Sequence, residues 1–321
     1  MVGDFNQSNS AEANGVKVAN NTVNFVHVRD GLVESPQGLA RVLRLIAPSW
    51  YERREADALS IRVESLISSV KRLQEEFPAM SERRALMEAL GYRMTNEQAD
   101  NTVEVFAEAQ DILIQKNGGA RGVLPEARDA VIEGAKVAYD NRIRSMWAKL
   151  IAGEASSPGT FSKKCMAILS EMNVEDALLF SKLCGFCITL DIKLDDEDLL
   201  NRFYDPILIL SRDKDGSSYN EGAFPLLSLY NLEAFGLVTT SLSRTLNLPR
   251  GAEIPYRLGS KIALLSGAGN VEKLRTHVVL TQYGKELSKL CELGIDPKAP
   301  EVLQSFAARE GVTVRWLSQG C

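Results

Sequence analysis

The apolar residues Leu59, Val63, Leu66, Val70, Leu73 and Phe77 step by 4, 3, 4, 3 and 4 positions, and Glu, Arg and Lys fill the places between them. That period predicts an α-helix with one narrow apolar seam, and the seam has to be covered. It runs for fewer than the three or four heptads of a sustained coiled coil. Two covers therefore stay open. One is another helix of the same chain. The other is the same seam of a second copy, which makes the protein a homo-oligomer.

The punctuation on either side of the seam is also helical. Leu39, Val42, Leu43 and Ile46 recur at helical spacing before Pro48. Pro78 ends the seam helix, and Ser81 reads as the N-cap of a short helix that stops at Gly91. A helix over Thr95–Gln115 turns Val103, Phe106, Ile112 and Leu113 inward. After Asn117–Gly122, a glycine-rich joint, Pro125 suits a first helical turn. Val131, Ala135, Ala138, Ile143, Met146, Trp147, Leu150 and Ile151 then predict one helix closed by Gly153. Ser162 and Asn173 read as the caps of two more.

Near Ile188 the pattern changes. Short alternating or β-branched runs appear at 188–194, 206–210, 236–240, 254–265, 274–281 and 312–316, with helices over Phe224–Phe235, Thr281–Leu293 and Pro300–Arg309. The expected fold is mainly α. A flexible or short β segment (1–30) precedes a helical domain (31–172), and a winged-helix-like α+β domain (173–321) follows.

Composition excludes several classes. With 37 Lys and Arg against 42 Asp and Glu, the chain carries −5 and is no nucleic-acid coat protein. No apolar run reaches the roughly 20 residues of a membrane span. The first ten residues lack the basic-then-apolar order of a signal peptide. Five scattered cysteines fit a reduced, cytoplasmic protein. Two histidines, His27 and His277, make multi-histidine metal sites and histidine-based hydrolysis poor readings. No cofactor or metal is expected. Asn117–Gly122 has no preceding strand and no Gly-Lys-Ser/Thr, so it is not a phosphate loop. Asp195–Asp198 reads as a solvated helix start, and Asp213–Gly216 as a turn. Cys184-Gly185-Phe186-Cys187 falls at a helix C-terminus, where the dipole disfavours a thiolate, and reads as buried apolar packing. Cys165, Cys291 and Cys321 stand alone in sequence.

One string is specific. Trp147-Ala148-Lys149-Leu150-Ile151-Ala152-Gly153-Glu154, followed by Pro158-Gly159-Thr160-Phe161-Ser162, resembles the signature of the bacterial and phage family called domain of unknown function 2806. Glu175–Cys184 resembles the family's Glu-Ala-x-x-Phe-x-Lys-Leu-Cys helix, and Leu280–Leu287 its Leu-Thr-x-x-Gly-x-Glu-Leu. The resemblance implies a prokaryotic or prophage protein of unassigned activity, with phage-defence contexts among related helical families. The residue types of the signature need no catalyst. Trp147 and Leu150 pack, Gly153 stops a helix, Pro158-Gly159 turns the chain, and Glu154 accepts N–H groups from the helix that starts at Ser162. A structural corner is the expected role, and Glu154→Gln is expected to leave the thermal midpoint nearly unchanged.

The segment from Phe224 onward resembles a winged helix: a helix ending in Gly-Leu-Val, a hairpin wing, then Leu-Thr-x-x-Gly. DNA readers of that kind place cations or amides on the helix before Gly-Leu-Val. Here no Lys or Arg lies between Lys214 and Arg244, whereas residues 241–290 hold eight Lys or Arg against three Glu. The expected function is a non-enzymatic, oligomerising interaction protein with an unknown protein partner. The alternative is a DNA-binding regulator that touches phosphates through Arg244, Arg250, Arg257, Lys261, Lys273 and Arg275, weakly and without sequence preference.

Overall fold

The computed structural model describes residues 43, 45, 56–116, 123, 125–191, 206–210, 212–214, 216–220, 223–242, 244–249, 251–267, 271–291 and 296–317. The expected element at 1–30, the joint at 117–122 and the acidic run at 195–198 lie outside them, as does most of the expected helix around Leu39–Ile46.

The helices whose bounds fall within the described residues begin with α1 (Ala56–Glu76), α2 (Glu82–Ala89), α3 (Asn96–Gln115), α4 (Pro125–Lys136), α5 (Asn141–Ser156), α6 (Lys163–Glu171) and α7 (Val174–Cys184). Their starts are chemically marked. Ser81 caps α2, Thr95 and Gln98 form a reciprocal capping box on α3, Asp140 caps α5, Ser162 caps α6, and Asn173 and Asp176 form a second box on α7. Such caps are each worth about 1 kcal/mol.

The single helix expected over Val131–Ile151 is two. The chain breaks at Val137–Asp140, because the Asp140 carboxylate accepts the Arg142 N–H (2.8 Å) and starts a new helix. Nor does Gly153 stop α5, which continues to Ser156.

The seam is covered within the chain. Val63, Leu66 and Val70 are buried against Leu43, Met80, Ala85 and Leu86, with Leu73 partly buried. Phe77 is about half exposed (47%). The Leu59 side chain lies outside the described residues. Of the two covers the sequence left open, the structure supplies the intramolecular one.

Strands and helices then alternate: β1 (Cys187–Leu190), β2 (Ile207–Leu208), β3 (Ser218–Tyr219), β4 (Phe224–Pro225), α8 (Leu226–Ala234), β5 (Val238–Thr239), β6 (Arg244–Pro249), β7 (Ile254–Leu258), β8 (Lys261–Gly267), β9 (Val271–Thr276), β10 (Val279–Leu280), α9 (Gln282–Ser288), α10 (Ala299–Arg309) and β11 (Val312–Trp316). The architecture is mixed helix and strand. The span from β5 to β10 is a set of nested antiparallel pairs. β5 pairs with β10, β6 with β9 and β7 with β8. The innermost pair does not project freely. It forms the middle of a five-stranded antiparallel sheet ordered β11-β8-β7-β1-β2. Leu190 sits opposite Tyr256 on one side and Val314 opposite Leu265 on the other.

One apolar core joins the parts. Phe106, Trp147 and Phe180 from the helices belong to the same buried cluster as Leu237, Leu258, Leu265, Leu287 and Val312 from the later chain. Packing is therefore continuous across 172/173, the boundary expected from the change in sequence pattern.

Candidate functional site

The signature residues build a corner at the end of α5. Trp147 is almost wholly buried and so close to Gly134 of α4 that a Cβ there would fall 2.0 Å from its ring, and its indole N–H finds no acceptor. Ala148, Leu150 and Ile151 are buried beside it. Gly153 is required by close approach, since a Cβ there would come within 2.8 Å of the Phe161 ring. Pro158 and Gly159 turn the chain, with Gly159 at φ +87.

Glu154 closes the turn. It is 1% exposed, and its two carboxylate oxygens accept the N–H groups of Gly159 (3.0 Å) and Phe161 (2.6 Å). The partners are loop amides just ahead of α6, not those of the helix itself. Ser162 then caps α6 by accepting the Cys165 N–H at 3.2 Å.

A second carboxylate meets the same corner from far along the chain. Glu286, on α9, accepts both the Ser162 N–H (2.8 Å) and the Ser162 hydroxyl (2.7 Å), while its other oxygen accepts from Gln282 (3.2 Å). Sequence reasoning missed this residue as a partner. The one signal was the acidic position within Leu280–Leu287. Gly284, in that same string, allows α9 to seat, since a Cβ there would fall 2.0 Å from the Leu237 carbonyl oxygen. Three carboxylate oxygens thus hold the loop 159–162, the fourth accepts from Gln282, and each has its donor. An arrangement so filled is architecture. Burial, with Glu286 and Glu154 nearby, pushes the Cys165 thiol far up, so it stays protonated.

The six basic residues expected to touch nucleic acid divide. Arg257, on β7, is 45% exposed but is paired with Asp191 (2.7 Å) at the edge of β1. Lys261 is exposed at the start of β8. Lys273 and Arg275 lie on β9 opposite Asn247 and Thr245 of β6, and Arg244 lies opposite Thr276. The side chains of Arg244, Lys273 and Arg275, and the whole of Arg250, lie outside the described residues.

The helix that the winged-helix resemblance pointed to, α8, behaves differently. Leu229 and Leu232 face the core, while Leu227 (72% exposed) and Tyr230 (48%) face solvent one turn apart. Leu242, just beyond β5, is 62% exposed. The one carboxylate of α8, Glu233, folds back and accepts the Thr240 N–H (2.9 Å) and hydroxyl (2.7 Å), and those bonds hold it below the usual carboxylate range.

Among the described residues no group of three or more His, Cys, Asp or Glu could hold a metal ion, and no helix is long and apolar enough to cross a membrane.

With this geometry in place the comparisons are informative. The profile of the family described as "Protein of unknown function (DUF2806)" matches residues 97–299. The chain belongs to that family. The matched span starts in α3, contains the whole corner and reaches the beginning of α10, so it includes both carboxylates that hold the 159–162 loop. No curated protein and no solved structure matches the chain.

Proposed function

We propose that this DUF2806 protein is a non-enzymatic interaction protein of a bacterium or prophage that works as a self-associating unit, and that its contact face is the exposed side of α8. The observation that carries the reading is the exposure of Leu227 and Tyr230, one turn apart on α8, with Leu242 exposed just beyond β5. An exposed apolar patch on a helix that also has a buried face marks a docking surface. A second copy is the occupant that charge favours. No Lys or Arg occurs between 214 and 244, so a two-fold pairing of this face sets no lysine or arginine of this segment against its counterpart. In this reading the C-terminal half is a winged-helix variant. α8, Gly236, β5, a long nested wing, β10 and α9 follow in the order such a unit requires, with the wing tip enlisted in the sheet.

The test is the oligomeric state of the full chain by light scattering at micromolar concentration. A dimer in the unaltered protein, and a monomer after joint Leu227→Glu and Tyr230→Glu, is expected. A monomeric unaltered protein, or a dimer that survives both changes, overturns it.

A second reading has its own observation. Lys273 and Arg275 sit on the two-stranded β6–β9 ribbon, outside the five-stranded sheet, so phosphate contact by that ribbon is the remaining route to nucleic acid. Retention on DNA at low salt that vanishes with Lys273→Glu and Arg275→Glu supports it. Absence of retention at any salt removes it.

A further inference from the structure

The end of α7, the turns around Asp213 and Asn220, and α10 enclose a cleft of about 400 Å³, a size within the range of small-molecule sites. Its walls are built by the chain itself. The Lys182 ammonium, in the last turn of α7, donates to the Ala223 carbonyl (3.1 Å) and lies 5.1 Å from the centre of the Phe224 ring. Phe186 meets that ring edge-on at 5.3 Å and gives the cleft an apolar part. The turn expected from Asp213–Gly216 is present, closed by the Gly216 N–H on the Asp213 carbonyl (2.9 Å), and the Ser218 hydroxyl donates to the Asp213 carboxylate (2.5 Å). Asn220 is buried and donates its side-chain amide to the Ile209 carbonyl (3.3 Å). Its φ of +53 is the one positive value at a non-glycine among the described residues. Strain of that kind gathers at ligand sites. On the remaining wall α10 presents Glu301, Ser305 and Arg309 at four-residue spacing, so one helix face runs about 12 Å along the cleft.

Charge decides what such a cleft accepts. Lys182, Lys298 and Arg309 line it together with Asp213, Asp296 and Glu301. A simple anion meets three carboxylates there, and a simple cation meets three positive groups. A ligand that carries both signs can set each against its opposite. We infer that the cleft binds a small zwitterion of the free amino-acid class. Three of the six charged groups already serve the walls: Lys182 on Ala223, Asp213 under Ser218, and Asp296, which accepts the Lys298 N–H at 2.9 Å. The Lys298 and Glu301 side chains are exposed at the start of α10, three positions apart. Neighbours at that spacing hold their Cβ atoms about 5–6 Å apart, which suits the two charges of one α-amino acid. Glu301 takes the ammonium, Lys298 takes the carboxylate, and the ligand's side chain rests on Phe186 and Val302.

The experiment is ligand-observed saturation-transfer NMR on the full chain, with the twenty protein amino acids as free zwitterions. At least one should receive saturation. Its N-acetyl and carboxamide derivatives, which each keep a single charge, should bind at least tenfold more weakly to the unaltered protein. Glu301→Lys and Lys298→Glu change exposed residues and should each weaken the zwitterion at least tenfold. Lys261→Glu, on β8 and outside the cleft, should leave binding unchanged. The derivatives probe the unaltered protein, so the outcome does not depend on how a variant folds. Saturation of none of the twenty, a derivative that binds as well as its parent, or binding unchanged by both α10 variants overturns the inference.

Discussion

The corner between α5 and α6 and the face of α8 handle exposed chemistry in opposite ways. At the corner every distinctive residue is used internally. Trp147 fills the core, Glu154 and Glu286 are occupied by donors from residues 159–162, and Gly153 and Gly284 permit close contact. On α8 the core-facing residues are ordinary leucines, and Leu227 and Tyr230 are left in solvent. A string that identifies a family can therefore serve as its scaffold, while an exposed apolar face carries no memorable pattern.

The largest effect should come from breaking the corner's apolar half. Trp147→Ala empties a fully buried site and should cost about 3–5 kcal/mol in chemical denaturation. Trp147→Phe should cost less than half of that, because the indole N–H has no acceptor to lose. Equal costs would mean that the ring's polar end matters and that the corner holds more than packing.

The next test separates the two carboxylates. Both Glu154 oxygens face backbone donors, so Glu154→Gln must turn its amide N–H₂ toward an N–H and should cost about 1–3 kcal/mol. The small change expected from sequence is revised for that reason. Glu286→Gln has an escape: Gln282 can rotate to present its carbonyl oxygen to the new amide, so a cost below about 1 kcal/mol is expected. The reverse ranking would show that Glu286 holds the two halves together more strongly than Glu154 holds its loop.

How far the sequence reached follows the same division. The caps Ser81, Ser162 and Asn173 act within a few residues, and each was legible. The Ser162–Glu286 bonds, the Ser181–Cys291 bond and the insertion of β7 and β8 between β1 and β11 are long-range pairings, which no local period encodes. The seam's period was plain, but what covers it depended on α2, whose Leu86 faces α1 while Met87 faces the main core.

The α8 face should respond to acid where the corner's packing does not. The hydrogen bonds from Thr240 lower the Glu233 pKa in the folded chain. A lowered folded value means that this contribution is complete above the ordinary value of 4.5 and is lost as pH falls through the lowered one. Glu233→Gln should therefore flatten the acid limb of the stability curve while leaving Trp147 fluorescence at neutral pH unchanged. An acid limb identical in the two proteins would place the acid sensitivity elsewhere.

The smallest effect should come from the β7–β8 hairpin. Arg257 pairs with Asp191 at the surface, with the two side chains 45% and 26% exposed, and exposed pairs contribute about 0–1 kcal/mol. Arg257→Glu removes the pair and sets a like charge beside Asp191, while Lys261→Glu alters a residue already in solvent. The double variant should lower stability by no more than about 1 kcal/mol and should keep the same oligomeric state. If it also keeps any low-salt DNA retention that the unaltered protein shows, the β7–β8 hairpin is ruled out as the contact and the β6–β9 ribbon stands as the remaining site. If retention disappears with folding intact, Arg257 exchanges Asp191 for phosphate. The contrast between a silent scaffold and an active surface then moves from α8 to the middle of the sheet.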